Sequence, residues 1–222
     1  GGSTGAQLVQ DINGNQYVMK NGTNTSAGHV KSEYLANQLY DALGMRVPDY
    51  ELYEDDNGEV TLLSKFIPMT RAPKSSDYAE MSKGWIADCV LANWDVYQND
   101  NCLIDSSGRV IRVDNGGCLD YRAQGGKKNF DDDIVKTYKD MIHYNRAVFN
   151  NLEDDDIISQ IDDIQSRKDD IVGFLEESNN PMADVIAKRI DNLTLVKNYI
   201  NRQKTLNKPN TAYHYLLIQH CN

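Results

Sequence analysis

The hydrophobic pattern of this chain changes period part-way along its 222 residues, and that change limits the folds open to it. Short apolar runs near the start are separated by turns rich in Asp, Asn and Gly, whereas beyond Asp131 apolar residues recur at helical spacing. Leu8–Gln10 and Gln16–Lys20 flank Asp11-Ile12-Asn13-Gly14, a hairpin signal. Val30–Leu43 reads as a helix that carries Glu33 and stops at Gly44. Tyr50–Tyr53 and Val60–Phe66 form a second hairpin around Asp55-Asp56-Asn57-Gly58, and the polar stretch Pro68–Asp77 reads as a connector. Ala79–Tyr97 reads as a buried helix, followed by strands at Cys102–Asp105 and Val110–Asp114 and then by helices with breaks near Asn150, Asn179–Pro181 and Pro209. The expectation is an α+β chain with a sheet-rich N-terminal lobe over 1–73 and a helical C-terminal lobe over 74–222.

Composition removes several classes of function. A net charge of −10 argues against a protein that neutralises many phosphates along a nucleic acid, and acidic runs such as Asp131–Asp133 and Glu153–Asp156 read as solvated helix starts. No apolar run reaches the roughly 20 residues needed to span a bilayer, so no membrane span is expected. The chain is expected to be soluble, either cytoplasmic or delivered as a domain of a larger effector, toxin or phage protein. Cys89, Cys102, Cys118 and Cys221 lack paired spacing and are expected to be reduced and packed. His29, His143, His214 and His220 lack metal-ligand spacing and read as surface or core side chains.

Against that background stands an ordered series of residues suited to phosphate and metal. Gly1, Gly2, Ser3, Thr4 and Gly5 form a small-residue loop before a strand, where backbone amides can approach phosphate oxygens. Lys20 ends the strand Tyr17-Val18-Met19-Lys20, with Val18 on the same face, and Glu33 lies on the next helix. Ala92-Asn93-Trp94-Asp95 leads to Asn101, and a hairpin then leads to Asp114-Asn115-Gly116-Gly117. Asn101 and Asp114 lie thirteen positions apart and offer the oxygen ligands that magnesium prefers. Ser64, Lys65, Phe66 and Ile67 end the strand run, where Leu62, Leu63 and Phe66 suit a core. Arg122, Lys127 and Lys128 read as a solvated loop with the chemistry to meet phosphate or an acidic substrate.

On these motifs, together with Tyr121-Arg122-Ala123-Gln124-Gly125 and Val148-Phe149-Asn150-Asn151-Leu152, the chain resembles the HipA-like and phosphoinositide-kinase-like branch of the protein-kinase superfamily, especially its small bacterial and phage-associated domains. The resemblance covers residues 1 to about 158. It implies a two-lobed protein-kinase-like fold that binds ATP and magnesium between the lobes and transfers phosphate to a hydroxyl group. Asp95 would then orient or deprotonate the hydroxyl, Asn101 and Asp114 would bind magnesium, Lys20 would hold phosphates and Glu33 would hold Lys20. The resemblance also implies a hinge at Ser64–Ile67 that would contact a base.

The sequence also departs from that family. Asn101 follows Asp95 by six residues where protein kinases commonly have five, which leaves Asn99 and Asp100 open as partners in the role, and Asn115 stands where phenylalanine is usual. A protein serine/threonine kinase is the leading expectation. The alternatives are a nucleotide-binding pseudokinase serving regulation or assembly, and a kinase acting on a small molecule or a lipid headgroup.

Overall fold

The computed structural model describes residues 5–98 and 100–207, and its three hairpins all turn by the same device. Asp11, Asp55 and Asp105 each accept, at 2.9 Å, the amides two and four residues on: Asn13 and Asn15, Asn57 and Glu59, Ser107 and Arg109. Gly14, Gly58 and Gly108 follow with φ of 84°, 77° and 80°, values that a side chain resists. Local Asp and Gly chemistry therefore sets the register of each hairpin, whereas the remaining pairing of the sheet joins strands distant in sequence.

Strands β1 (Gln7–Gln10), β2 (Gln16–Gly22), β3 (Tyr50–Glu54) and β4 (Val60–Lys65) form one sheet in the order β1-β2-β4-β3. Helix α1 (Ala27–Ala42) packs on it through a small apolar cluster of Val30, Val60 and Leu62. Leu35, Ala36, Leu39, Tyr40 and Leu43 belong instead to the large core of the helical part. One helix thus contributes to both cores. The α+β class and the N-terminal position of the sheet agree with the sequence reading.

The helical part contains α2 (Tyr78–Ser82), α3 (Trp85–Val90), a hairpin of β5 (Cys102–Ile104) and β6 (Val110–Arg112), and then α4 (Ile134–Tyr144), α5 (Arg146–Phe149), α6 (Asp154–Ser166), α7 (Lys168–Glu177), α8 (Met182–Asp191) and α9 (Leu193–Asn207). The single helix expected over 79–97 is a misreading of two short ones and a loop. The break falls at Gly84, where an added Cβ would lie 2.2 Å from an Arg112 guanidinium nitrogen. Helix α3 ends at Val90 because Arg189 takes the carbonyls of Cys89 and Val90, and Ala92, whose carbonyl Lys128 takes, turns to a left-handed φ of 49°. The connector after β4 carries one isolated bridge, from Arg71 to Ile104.

Cys89, Cys102 and Cys118 are buried and free, with burial pushing each thiol's pKa up, while Cys221, His214, His220 and the break near Pro209 lie outside the described residues. Among the described residues no helix is long and apolar enough to cross a membrane.

A buried polar cluster joins the elements that surround α3. Arg112 pairs with Asp88 through Nε and Nη2 at 2.7 and 2.8 Å. Tyr40 and Tyr97 donate their hydroxyls to the same carboxylate at 2.7 and 2.5 Å, and Asn93 donates to the Tyr40 hydroxyl at 2.9 Å. Deleting one member of such a pair leaves an uncompensated charge in the core. Arg112→Leu is therefore expected to cost about 3–5 kcal/mol in urea unfolding; a loss below about 1 kcal/mol, the scale of a surface pair, would contradict this account of the core.

Candidate active site

Alternation along β2 places Val18 and Lys20 on one face, and both border the same apolar cavity. Lys20 Nζ donates to Glu33 Oε1 and Oε2 at 2.9 and 3.0 Å and also to Asp114 Oδ1. Lys20 and Glu33 are 8% and 6% exposed, whereas the Asp114 side chain is 55% exposed. Burial opposes the charge on Lys20, but Glu33 and Asp114 outweigh it and hold the ammonium above the ordinary lysine range.

Glu33 belongs to a stripe of α1 with four-residue spacing, His29, Glu33 and Asn37, which faces the turn after β6. His29 Nε2 lies 2.8 Å from the Gly116 carbonyl, and Asn37 Oδ1 accepts Asn115 Nδ2 at 2.8 Å. Asn115, in the place where phenylalanine is usual in the resembled family, thus makes a buried polar contact with α1. The approach is close enough that a Cβ on Gly116 would lie 2.8 Å from His29 Nε2. Asp114 itself adopts a left-handed backbone, φ 58° and ψ 51°, a strained conformation for a residue with a side chain.

The segment from Asn93 to Asn101 brings Asp95 and Asn101 to the same place. Asn101 Nδ2 donates to the Asp95 carbonyl at 3.1 Å, which leaves the Asn101 side-chain oxygen as the atom free to meet a cation. Lys20, Glu33, Asp95, Asn101 and Asp114 all line one cavity of about 670 Å³. A second cavity of about 260 Å³ is bordered by Ser64, Lys65, Phe66 and Ile67 together with apolar Val18 and Leu103. The two cavities share Lys20, Glu33 and Asp114.

Other sequence-predicted residues fall elsewhere. Gly1, Gly2, Ser3 and Thr4 lie outside the described residues, as does Asn99. Gly5 is exposed and borders neither cavity, although its neighbour Ala6 borders the smaller one. Asp100 is exposed and lines neither cavity. Arg122 is exposed, and Lys127 pairs with Asp120 at 2.5 Å on the surface. Lys128 corrects the sequence reading: it is buried, because its ammonium is claimed by the carbonyls of Ala92 and Gly117.

Thr25 and Ser26, which sequence reasoning passed over, and His29, Gln124 and Gly125, to which it gave no site role, all line the larger cavity. Thr-Ser before a helix signals only an N-cap, and here Ser26 Oγ bonds the Thr23 main chain and caps nothing.

No protein-family model matches the chain, and no curated protein matches it at significance. Among solved structures it is similar to the crystal structure of a proinflammatory kinase of Helicobacter pylori, CtkA, with 18% sequence identity, a TM-score of 0.41, and coverage of 88% of this chain and 94% of that one. A likeness of this depth leaves function to be argued from the site.

Proposed function

We propose that this chain is an ATP- and magnesium-dependent phosphotransferase that delivers phosphate to a hydroxyl group. The observation that carries the reading is the meeting of Lys20, Glu33, Asp95, Asn101 and Asp114 in one polar cavity that shares a wall with an apolar one. An apolar slot suits a purine base, and the adjoining polar space suits its phosphates and an attacking group. The β4 exit at Ser64–Ile67 borders that slot.

Charge supports a metal requirement. Lys20 is the one lysine or arginine among the lining residues of the larger cavity, against Glu33, Asp95 and Asp114, so an incoming polyphosphate needs a cation with it. Among the described residues no group of three or more His, Cys, Asp or Glu is placed to hold a metal alone. That donor set fits a hard ion whose shell is completed by phosphate oxygens and water better than it fits a zinc site. Asn101 and Asp114 would hold magnesium, which supplies charge neutralisation on the phosphates.

The protein's own groups then divide the work. Lys20, kept protonated by its two carboxylates, can exchange Asp114 for a phosphate oxygen without leaving Glu33. Thr25 and Ser26 add hydroxyls on the phosphate side. Asp95 orients the acceptor hydroxyl and takes its proton. A protein serine or threonine is the favoured acceptor, because Gln124, on the cavity wall, is exposed and leaves room for an extended peptide.

Two measurements test the reading. Asp114→Ala should weaken magnesium-ATP binding by about 10- to 100-fold in calorimetry, the equivalent of one charge-assisted contact; unchanged affinity would reduce Asp114 to a turn residue. Asp95→Asn should preserve ATP affinity while lowering transfer by about 10²- to 10⁴-fold, the range of a positioned base. Equal turnover by the two proteins at saturating magnesium-ATP would remove Asp95 from the chemistry.

A further inference from the structure

Lys128 is a buried ammonium held by carbonyls and by no salt bridge among the described residues. It is 9% exposed, and its Nζ donates to the carbonyl of Ala92 at 2.7 Å and to that of Gly117. The Trp94 ring centroid lies 4.9 Å from the ammonium. The two carbonyls belong to different segments. Ala92 precedes Asp95 by three residues, and Gly117 follows Asp114 by three. Ala92 sits at a left-handed φ of 49°, which an alanine keeps only when its surroundings hold it there. Lys128 lines neither cavity, so it is placed to act through the segments it bridges.

Neutral carbonyls repay the burial of a charge poorly. A methionine of similar length would fill the same space without that cost. What the ammonium adds is direction, because it fixes two carbonyls and with them the separation of the segments that carry the site.

We propose that Lys128 is a positioning residue for the transfer reaction, a clamp that sets Asp95 against Asp114 by bridging the Ala92 and Gly117 carbonyls as a charged ammonium. The proposal rests on the phosphotransferase reading above. Burial pushes the ammonium down to about 8, against the pull of the Cys118 side chain and Asp95 and with the push of Arg189 and Arg122. Between that value and the ordinary 10.5 the unfolded chain binds more protons than the native one, so this group makes the fold more stable as pH rises. Loss of the clamp's charge lowers activity over the same range. The opposite signs separate a positioning role from a purely structural one.

The test is the pH profile of magnesium-ATP turnover in wild type, Lys128→Arg and Lys128→Met, with amide hydrogen exchange measured on the same proteins. Wild-type kcat should fall with a midpoint near 8. That limb should be missing in Lys128→Arg, whose guanidinium stays charged. Lys128→Met should lose on the order of 10- to 100-fold in kcat with KM for magnesium-ATP within about threefold, the pattern of misplaced reacting groups. Its amides should exchange faster over 93–98 and 115–119, with β2 and β4 unchanged. A wild-type kcat in Lys128→Met, or an alkaline limb that persists in Lys128→Arg, would overturn the proposal. Unaltered exchange in Lys128→Met would overturn the clamp whatever the turnover, whereas a wild type that never turns over magnesium-ATP would sink the phosphotransferase reading itself.

Discussion

The ion pair of Lys20 with Glu33, extended to Asp114, is the contact on which the rest of the arrangement depends. It joins strand β2, helix α1 and the turn after β6, three pieces distant in sequence, at the point where both cavities meet. A lysine this buried is costly unless its charge is answered, and here two carboxylates answer it. The asymmetry of exposure matters as much as the contact. Glu33 is shut in and can only hold, whereas Asp114 is half open and can exchange partners. On the proposed reading, that difference lets Lys20 move its attention to phosphate while keeping its place.

Helix α1 turns this local contact into a property of the whole chain. It packs through Val30 on the sheet and through Leu35, Leu39 and Tyr40 in the helical core, so the sheet cannot shift without disturbing both. Along its polar stripe His29, Glu33 and Asn37 hold the 114–116 turn, and Tyr40 continues to the Asp88–Arg112 cluster beneath the 93–101 segment. Buried, satisfied networks of this kind favour one arrangement over its neighbours. The contact of Asn115 with Asn37 ties α1 to the turn after β6, a coupling that an apolar side chain at 115 would replace with packing.

Much of this was legible in the sequence where the cause is local. The three Asp-x-x-Gly hairpins follow from side chains bonding amides two and four residues away, and Gly44 closes α1 with a φ of 80° as expected. Lys20, Glu33, Asp95, Asn101 and Asp114 could be picked out by order and spacing, and they converge on one cavity. What the sequence hid depends on distant partners. The end of α3 is set by Lys128 and Arg189, 36 and 99 positions from the carbonyls they take, so apolar periodicity ran the helix on to Tyr97. Lys128 read as a solvated loop residue because nothing nearby in sequence shows that two carbonyls wait for it. His29 read only as a surface or core histidine for the same reason, since its partner Gly116 lies 87 positions away.

The central claim is that Lys20, Asn101 and Asp114 converge to receive a nucleotide with its metal. A crystal structure with magnesium and a non-hydrolysable ATP analogue tests it most directly. The account predicts the base in the slot beside Ser64–Ile67, the cation between Asn101 and Asp114, and Lys20 on a phosphate oxygen with Glu33 still behind it. A nucleotide bound outside both cavities, or phosphates that leave Lys20 on Asp114, would contradict it.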